Sequence, residues 1–206
     1  MQYGPKILDP SGLVLTLDAG NLYSYPGSGT TWTDLSGNNN DGTLINGPTY
    51  SNTNGGIITF DGTNDYVTGS ISNLSVYTVS IFMKILGLKV GGGLFCAGTQ
   101  VVFQMGGANV WQFNSAFTGY APTVGQWYYT VGVQTASTQI LYINNTQVAS
   151  ASATTSLGTT GYVLGRRDNG LIYVNYQLAT VSVYSRVLST TEMLQHYNLL
   201  KGRFGL

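Results

Sequence analysis

Few side chains in this sequence can do acid–base or metal chemistry, and they can be weighed singly. His196 is the one histidine, Cys96 the one cysteine and Glu192 the one glutamate, beside seven aspartates: Asp9, Asp18, Asp34, Asp41, Asp61, Asp65 and Asp168. A serine nucleophile would have to recruit His196, which falls within a helical pattern beside an apolar stripe, and no GxSxG elbow is present. One His and one Cys exclude the common zinc sites and leave little basis for a Cys–His dyad. Glycoside hydrolysis needs a matched pair of carboxylates. Glu192 already belongs to a helix cap, and the aspartates sit mostly in turns next to Gly or Asn. The expectation is a protein that is not an enzyme and needs no cofactor.

Calcium is the one metal with a foothold. Asp61-Gly62-Thr63-Asn64-Asp65 gathers two carboxylates and an amide in one turn, so Asp61, Asn64 and Asp65 are candidate ligands for a hard cation. Asp34 to Asp41 is similar. The simpler reading is that each Asp caps its own turn by accepting from backbone amides. Gly91-Gly92-Gly93 lacks the Lys-Ser/Thr of a phosphate loop and reads as a hairpin connection. Arg166-Arg167, the one basic doublet, can pair with Asp168 on a rim or mark a contact surface. Five aromatics in or beside turn-rich segments, Tyr23, Tyr25, Trp32, Trp111 and Tyr120, are candidates for stacking on a sugar ring, and each also fits core or rim packing.

Composition narrows the classes further. Eight Lys and Arg balance eight Asp and Glu, and charged residues make up only 8% of the chain, so neither nucleic acid nor an anionic membrane is expected as a partner. Twenty-eight glycines and fifteen tyrosines, with abundant Thr, Ser and Asn, supply strands and turns rather than helices. A lone cysteine forms no intrachain disulfide, and its setting, Leu94-Phe95-Cys96-Ala97, predicts a buried structural thiol. MQYGPKILDPSG has no basic region followed by an apolar run, so no secretory signal is expected, and no apolar stretch reaches membrane-spanning length.

The elements that must position these residues are strands. From Gly125 to Ala149, Trp127, Tyr129, Val131 and Val133 alternate with Tyr128, Thr130, Gly132 and Gln134. A polar turn and a strand with Leu141 and Ile143 on one face follow. Asn144-Asn145 is a tight-turn pair leading to a short strand at Thr146-Gln147-Val148. We read this meander as the unit on which the rest packs. Further strands are predicted at 13–17, around Thr43-Leu44-Ile45 and at 57–60. Others follow at 65–67, 77–85, 94–97, 101–105, 110–113, 162–164 and 176–184. Short strands at regular spacing predict two antiparallel sheets stacked about 10 Å apart. One helix is predicted at about 190–200, opened by the capping box Ser189-Thr190-Thr191-Glu192, burying Met193, Tyr197 and Leu200, and stopped at Gly202. Residues 1–11, with Pro5 and Pro10, read as an arm, and 12–206 as a single domain.

Five segments occur in an order that resembles a known family: GLVLTLDAGN (12–21), DLSGNNNDGTLINGP (34–48), ITFDGTNDYV (58–67), the Trp127 strand running into LYINNTQVA (141–149), and VYSRVLSTTEMLQHYNLLKGRF (183–204). The chain is similar to the concanavalin-A-like lectin/glucanase superfamily in its laminin-G-like form. The resemblance implies an all-β jelly-roll sandwich of two antiparallel sheets. The family includes sugar binders, calcium-dependent adhesion modules and glycosidases, and the Glu-rich catalytic strand of the last has no counterpart here.

The wording LDAGN, SYPGSGTTW and KGRFGL resembles versions found in tailed-phage virion proteins. It implies a non-enzymatic virion structural protein, a capsid decoration or a fibre or tail appendage module, made in the host cytoplasm. Other virion proteins would be its partners, and it could form a homo-oligomer in the assembly. Tyr3, Lys6 and Ile7 of the arm, and Arg203 and Phe204 of the tail, are the candidate anchors. The alternative is a lectin-like module for host-surface polysaccharide.

Overall fold

A computed structural model describes residues 9–119, 121–158, 161–167 and 170–206. Among these, the strands in chain order are β1 (Leu13–Asp18), β2 (Thr31–Trp32), β3 (Gly42–Ile45), β4 (Thr49–Ser51), β5 (Ile57–Asp61) and β6 (Tyr66–Gly69). Then come β7 (Tyr77–Ile85), β8 (Gly93–Ala97), β9 (Gln100–Met105), β10 (Trp111–Phe113) and β11 (Ala116–Phe117). The last five are β12 (Trp127–Gln134), β13 (Thr138–Ile143), β14 (Thr146–Ser152), β15 (Tyr162–Leu164) and β16 (Asn175–Tyr184), followed by the helix α1 (Thr190–Leu200).

They form two eight-stranded sheets, a jelly-roll sandwich paired antiparallel throughout. The first runs β14-β13-β12-β7-β16-β5-β4, and β1 also pairs with β16. The second runs β11-β10-β9-β8-β15-β6-β3-β2. β16 is long enough to serve two neighbours on one edge: Asn175–Leu178 pair with β5, and Thr180–Tyr184 with β1.

The meander around Trp127 forms as expected. Asn144 and Asn145 adopt left-handed φ of 49° and 66°, the geometry of a tight hairpin turn. Asn144 also accepts a hydrogen bond from the Tyr129 amide at 2.9 Å. Its place in the fold differs from expectation. β14 extends to Ser152 and ends one margin of the sheet, while β7 and β16 lie at the centre.

Alternation gives each strand of the first sheet two faces, and both are buried. On the inner face Tyr77, Val79, Ile81, Met83 and Ile85 join Phe103, Phe113 and Leu164 of the second sheet in the main core. On the outer face Phe82, Trp127, Tyr129, Val131 and Val133 form a second core with Met193, Leu200 and Phe204. A sheet covered on both faces needs apolar residues at consecutive positions, which is why β12 is buried along its whole length.

The predicted capping box closes α1: Ser189 Oγ accepts from the Glu192 amide at 3.2 Å, and the Glu192 carboxylate accepts from the Ser189 amide at 2.7 Å. Met193 and Leu200 are buried and Tyr197 packs beside them. Gly202 does not stop the helix in a left-handed turn. The chain tightens into a 3-10 turn at Lys201–Arg203, and the left-handed residue is Gly205, at φ 68°. Cys96 is buried as expected, its Sγ 3.5 Å from the Arg166 carbonyl.

Candidate functional site

Four strands distant in sequence bring their outer faces together beneath α1. Cross-strand register aligns Asp18 with Thr180, Thr180 with Phe82, and Phe82 with Tyr129. The next row aligns Thr16 with Ser182 and Ser182 with Ser80. The register of β16 shifts between Leu178 and Thr180, and beyond that bulge Thr180 and Ser182 fall in line with the outer-face residues of β7. Over this floor His196, Leu199 and Leu200 of α1 form a roof, and Asn21 and Leu35 form a side wall. The chamber is half-open to solvent and measures about 220 Å³.

Hydroxyls and rings dominate its lining. Thr16 Oγ1 and Ser182 Oγ are hydrogen-bonded at 2.8 Å. The Phe82 and Tyr129 rings stack with centroids 4.5 Å apart, and Tyr184 Oη lies 3.4 Å from His196 Nε2. Burial pushes the Tyr129 phenol far above its ordinary value and Tyr184 up to about 12, so both remain neutral donors. The Ser80 hydroxyl pulls slightly the other way on Tyr129, yet no hydrogen bond of good geometry satisfies Tyr129 Oη. Burial lowers the His196 pKa, favouring a neutral imidazole.

Asp18 is the one carboxylate in the wall. Its Oδ1 accepts from the Gly20 amide at 2.8 Å and from Arg203 Nη1 at 3.3 Å, whereas the buried Oδ2 has no partner. Burial raises its pKa, against the pull of Arg203. The arrangement pairs His196 with a tyrosine. It can exchange hydrogen bonds with hydroxyls and pack against an apolar face.

The aromatics named from sequence are scattered. Tyr23 is 81% exposed and presents its ring to solvent. Tyr25, Trp32 and Trp111 are buried and offer no ring face to a ligand. Trp32 lies on a strand paired with β3, its ring edge-on to Tyr25 at 6.4 Å, and Trp111 meets Tyr128 edge-on at 5.2 Å. A turn-rich setting does not stop a short strand from pointing its large side chain inward. Tyr120 lies outside the described residues, as do Tyr3, Lys6, Ile7 and Asp168.

Arg203 and Phe204, the tail residues named as candidate anchors, both make contacts within this domain. Arg203 donates to Asp18, to the Asn54 carbonyl at 3.0 Å and to the Gly56 carbonyl at 3.3 Å. Phe204 is buried between Phe82 and Trp127.

At the calcium candidates the carboxylates act as turn acceptors. Asp61 Oδ1 accepts from the Thr63 and Asn64 amides at 2.7 and 3.3 Å, and Asp65 Oδ2 from the Asp61 amide at 3.1 Å. Those backbone bonds, Thr63's foremost, hold the Asp61 pKa below its ordinary value. Asp34 likewise accepts from the amides of Thr16, Ser36 and Asn40. Among the described residues no three His, Cys, Asp or Glu side chains gather as a metal group. No helix among them is long and apolar enough to cross a membrane.

Sequence reading missed the chamber because its polar members, taken strand by strand, look like solvent-facing positions. The signal lay in their company: Thr16 with Asp18, Ser80 with Phe82, and Thr180 with Ser182 are all pairs two residues apart on one face.

Residues 60–193 match the laminin-G-type family model described as the concanavalin A-like lectin/glucanases superfamily. No curated protein matches the chain by sequence. Among solved structures, the fold is shared with domain 4 of an extracellular arabinanase from Geobacillus stearothermophilus, in complex with arabinotriose: 15% identity, TM-score 0.71, covering 93% of this chain and all of that one. It is also shared with Trypanosoma rangeli sialidase in complex with sialic acid, at 15% identity and TM-score 0.67. There 97% of this chain is covered but only 34% of the sialidase, so the likeness concerns about a third of that protein.

Proposed function

Because the chain belongs to the concanavalin A-like lectin/glucanases superfamily, we propose that it is a non-enzymatic recognition module of a tailed-phage virion. It stands as a capsid decoration or within a fibre or tail appendage and holds a host-surface glycan in the chamber beneath α1. The observation that carries the recognition role is the chamber itself, a half-open cavity of about 220 Å³ lined largely by hydroxyl-bearing residues. The superfamily fold that the chain shares with an arabinanase domain solved with arabinotriose is in keeping with a glycan ligand.

Two observations favour binding over turnover. The Glu192 carboxylate is held at about 2 by Arg186 and by the helix cap, too low for a general acid. Asp18, the one carboxylate among the chamber's lining residues, has no matched partner across it, as hydrolysis of a glycosidic bond requires. The virion role rests on the family wording of the sequence and on a nearly uncharged composition, only 8% Asp, Glu, Lys and Arg.

Cryo-electron microscopy of purified particles tests the placement. Regular copies on the capsid or tail are expected, and particles that lack the protein would overturn the virion role. Sedimentation of the purified protein with host-surface polysaccharide tests the recognition role. Co-sedimentation is expected, and its absence with and without calcium would overturn it.

A further inference from the structure

We propose that Arg166, stacked on Tyr66 at the outer face of the second sheet, binds the carboxylate of an acidic sugar, at a site separate from the chamber beneath α1. Strand β6 turns Val67 into the main core, so Tyr66 before it lies on the opposite face, half-buried and paired with Ile45 of β3. Beyond β15 the chain turns back on itself. Arg166 bridges Tyr173, and the Arg167 amide donates to the Ile172 carbonyl at 2.8 Å. That hairpin lays the Arg166 guanidinium over the Tyr66 ring, 4.0 Å from its centroid. The Tyr173 ring stands beside them, 6.5 Å from that of Tyr66 and tilted by 51°. Gly170, at φ 73°, leaves the space, since a Cβ there would lie 3.0 Å from Arg166 Nη1.

Two features mark this cation as a binding group. Among the described residues it has no ion pair, whereas Arg186 holds Asp9 and Glu192, and Arg203 holds Asp18. The acids near it are engaged elsewhere: Asp65 is buried and accepts from the Asp61 amide, and Asp61 accepts from the amides of Thr63 and Asn64. The second feature is the accessible edge. Nε is the one guanidinium nitrogen of Arg166 that is buried without a partner, which leaves Nη1 and Nη2 toward solvent. A planar fork held flat on a ring matches the two oxygens of a carboxylate.

The surroundings choose the molecule that carries that carboxylate. One row along the same face, Thr43, Thr68 and Val163 stand side by side with no charge among them. Thr68 Oγ1 donates to the Tyr162 carbonyl at 3.3 Å, and Thr43 is exposed. An exposed hydroxyl and the half-buried Tyr173 ring suit a ligand with hydroxyls on its edge and C–H groups on its face. A nucleic acid or a run of acidic side chains would call for a line of cations. Among the described residues this face has one. Arg167 alternates to the other side, toward Gly91, whose added Cβ would meet its Nη1 at 3.1 Å. One cation fits one carboxylate on an otherwise neutral ring.

The test is an amide NMR titration of the whole chain with glucuronic acid and N-acetylneuraminic acid, against glucose and inorganic phosphate. At least one acid should move the signals of residues 66, 166 and 173, glucose should not, and phosphate should do so more weakly. Arg166→Gln should weaken that acid about tenfold. Arg166→Lys, which keeps the charge but loses the planar fork, should weaken it less. Glucose moving those signals as strongly as an acid overturns the inference, as does phosphate bound more tightly than either acid, or unchanged affinity in Arg166→Gln. So does an acid that binds only in Asp168→Asn, since Arg166 would then be committed to that carboxylate. If host polysaccharide fails to co-sediment while an acid moves residues 66, 166 and 173, the glycan reading of the chamber falls and this site stands. If polysaccharide co-sediments and no acid moves them, the reverse holds.

Discussion

The Phe204 ring lies against that of Phe82, with 5.1 Å between centroids and 27° between planes, on the face of the sheet turned away from the main core. Trp127 packs on Phe204 as well, at 4.4 Å. The segment after α1 thus closes a second core, and the helix that roofs the chamber is held at both ends: by the Ser189–Glu192 cap at one, and by Arg203 and Phe204 at the other.

Replacing Phe204 with Ala removes a buried aromatic and leaves a void beside Trp127. We expect a loss of about 3 kcal/mol in urea unfolding. A loss below about 0.5 kcal/mol would mean that the tail merely rests on the sheet. Because the helix depends on this contact, far-UV circular dichroism should show its helical signal weakening at lower denaturant than the strand signal.

The parts that were legible in the sequence are those written locally. Strand β7 follows its own alternation from Tyr77 to Ile85, and Ser189 with Glu192 announced the helix. The two-residue strands Thr31–Trp32 and Ala116–Phe117 carry too little pattern to be seen. Whether Trp32 or Trp111 faces a ligand or the core depends on pairing with other strands, which alternation does not reveal. The chamber is the extreme case. Its Thr16–Ser182 hydrogen bond joins residues 166 positions apart, and only the β1–β16 register puts them side by side.

Arg203 is the next lever. Arg203→Met cuts its bonds to Asp18, Asn54 and Gly56 and leaves a buried carboxylate without its counter-charge. The expected cost is about 3 kcal/mol at neutral pH. Combining it with Asp18→Asn should recover part of that loss, since no charge is then left unpaired. Strictly additive losses in the double variant would show that the two side chains do not act together.

Close approach of the two sheets is concentrated at Gly132. A Cβ there would lie 2.1 Å from the Phe113 ring, with no room between the layers. Gly132→Ala should therefore destabilise by about 1–3 kcal/mol, although alanine suits an extended strand better than glycine. Adding Phe113→Leu should relieve the clash and return part of the loss. If Gly132→Ala melts at the native temperature, the sheets are spaced more widely than the structure has them.

Stability should fall on acidification, and His196 should begin the fall. Burial depresses its pKa below the ordinary 6.5, so the unfolded chain takes up the proton first. Its contribution is complete above about pH 6.5 and is lost as the pH drops from there through the lower folded value. Glu192 follows: with its pKa at about 2 instead of 4.5, its contribution is present above pH 4.5 and lost as the pH falls through about 2. Solvent limits that second effect to about 1 kcal/mol. Asp18 opposes both, because burial raises its pKa and protonation favours its folded form. The charged groups that bear on His196 are Glu192, Arg186 and Asp9, with Tyr184 bonded to it. Thermal melts from pH 8 to pH 3 should show the Tm falling first below about pH 6.5, and His196→Gln should flatten the curve between pH 7 and pH 5. An unchanged slope in that variant would assign the loss to the carboxylates alone.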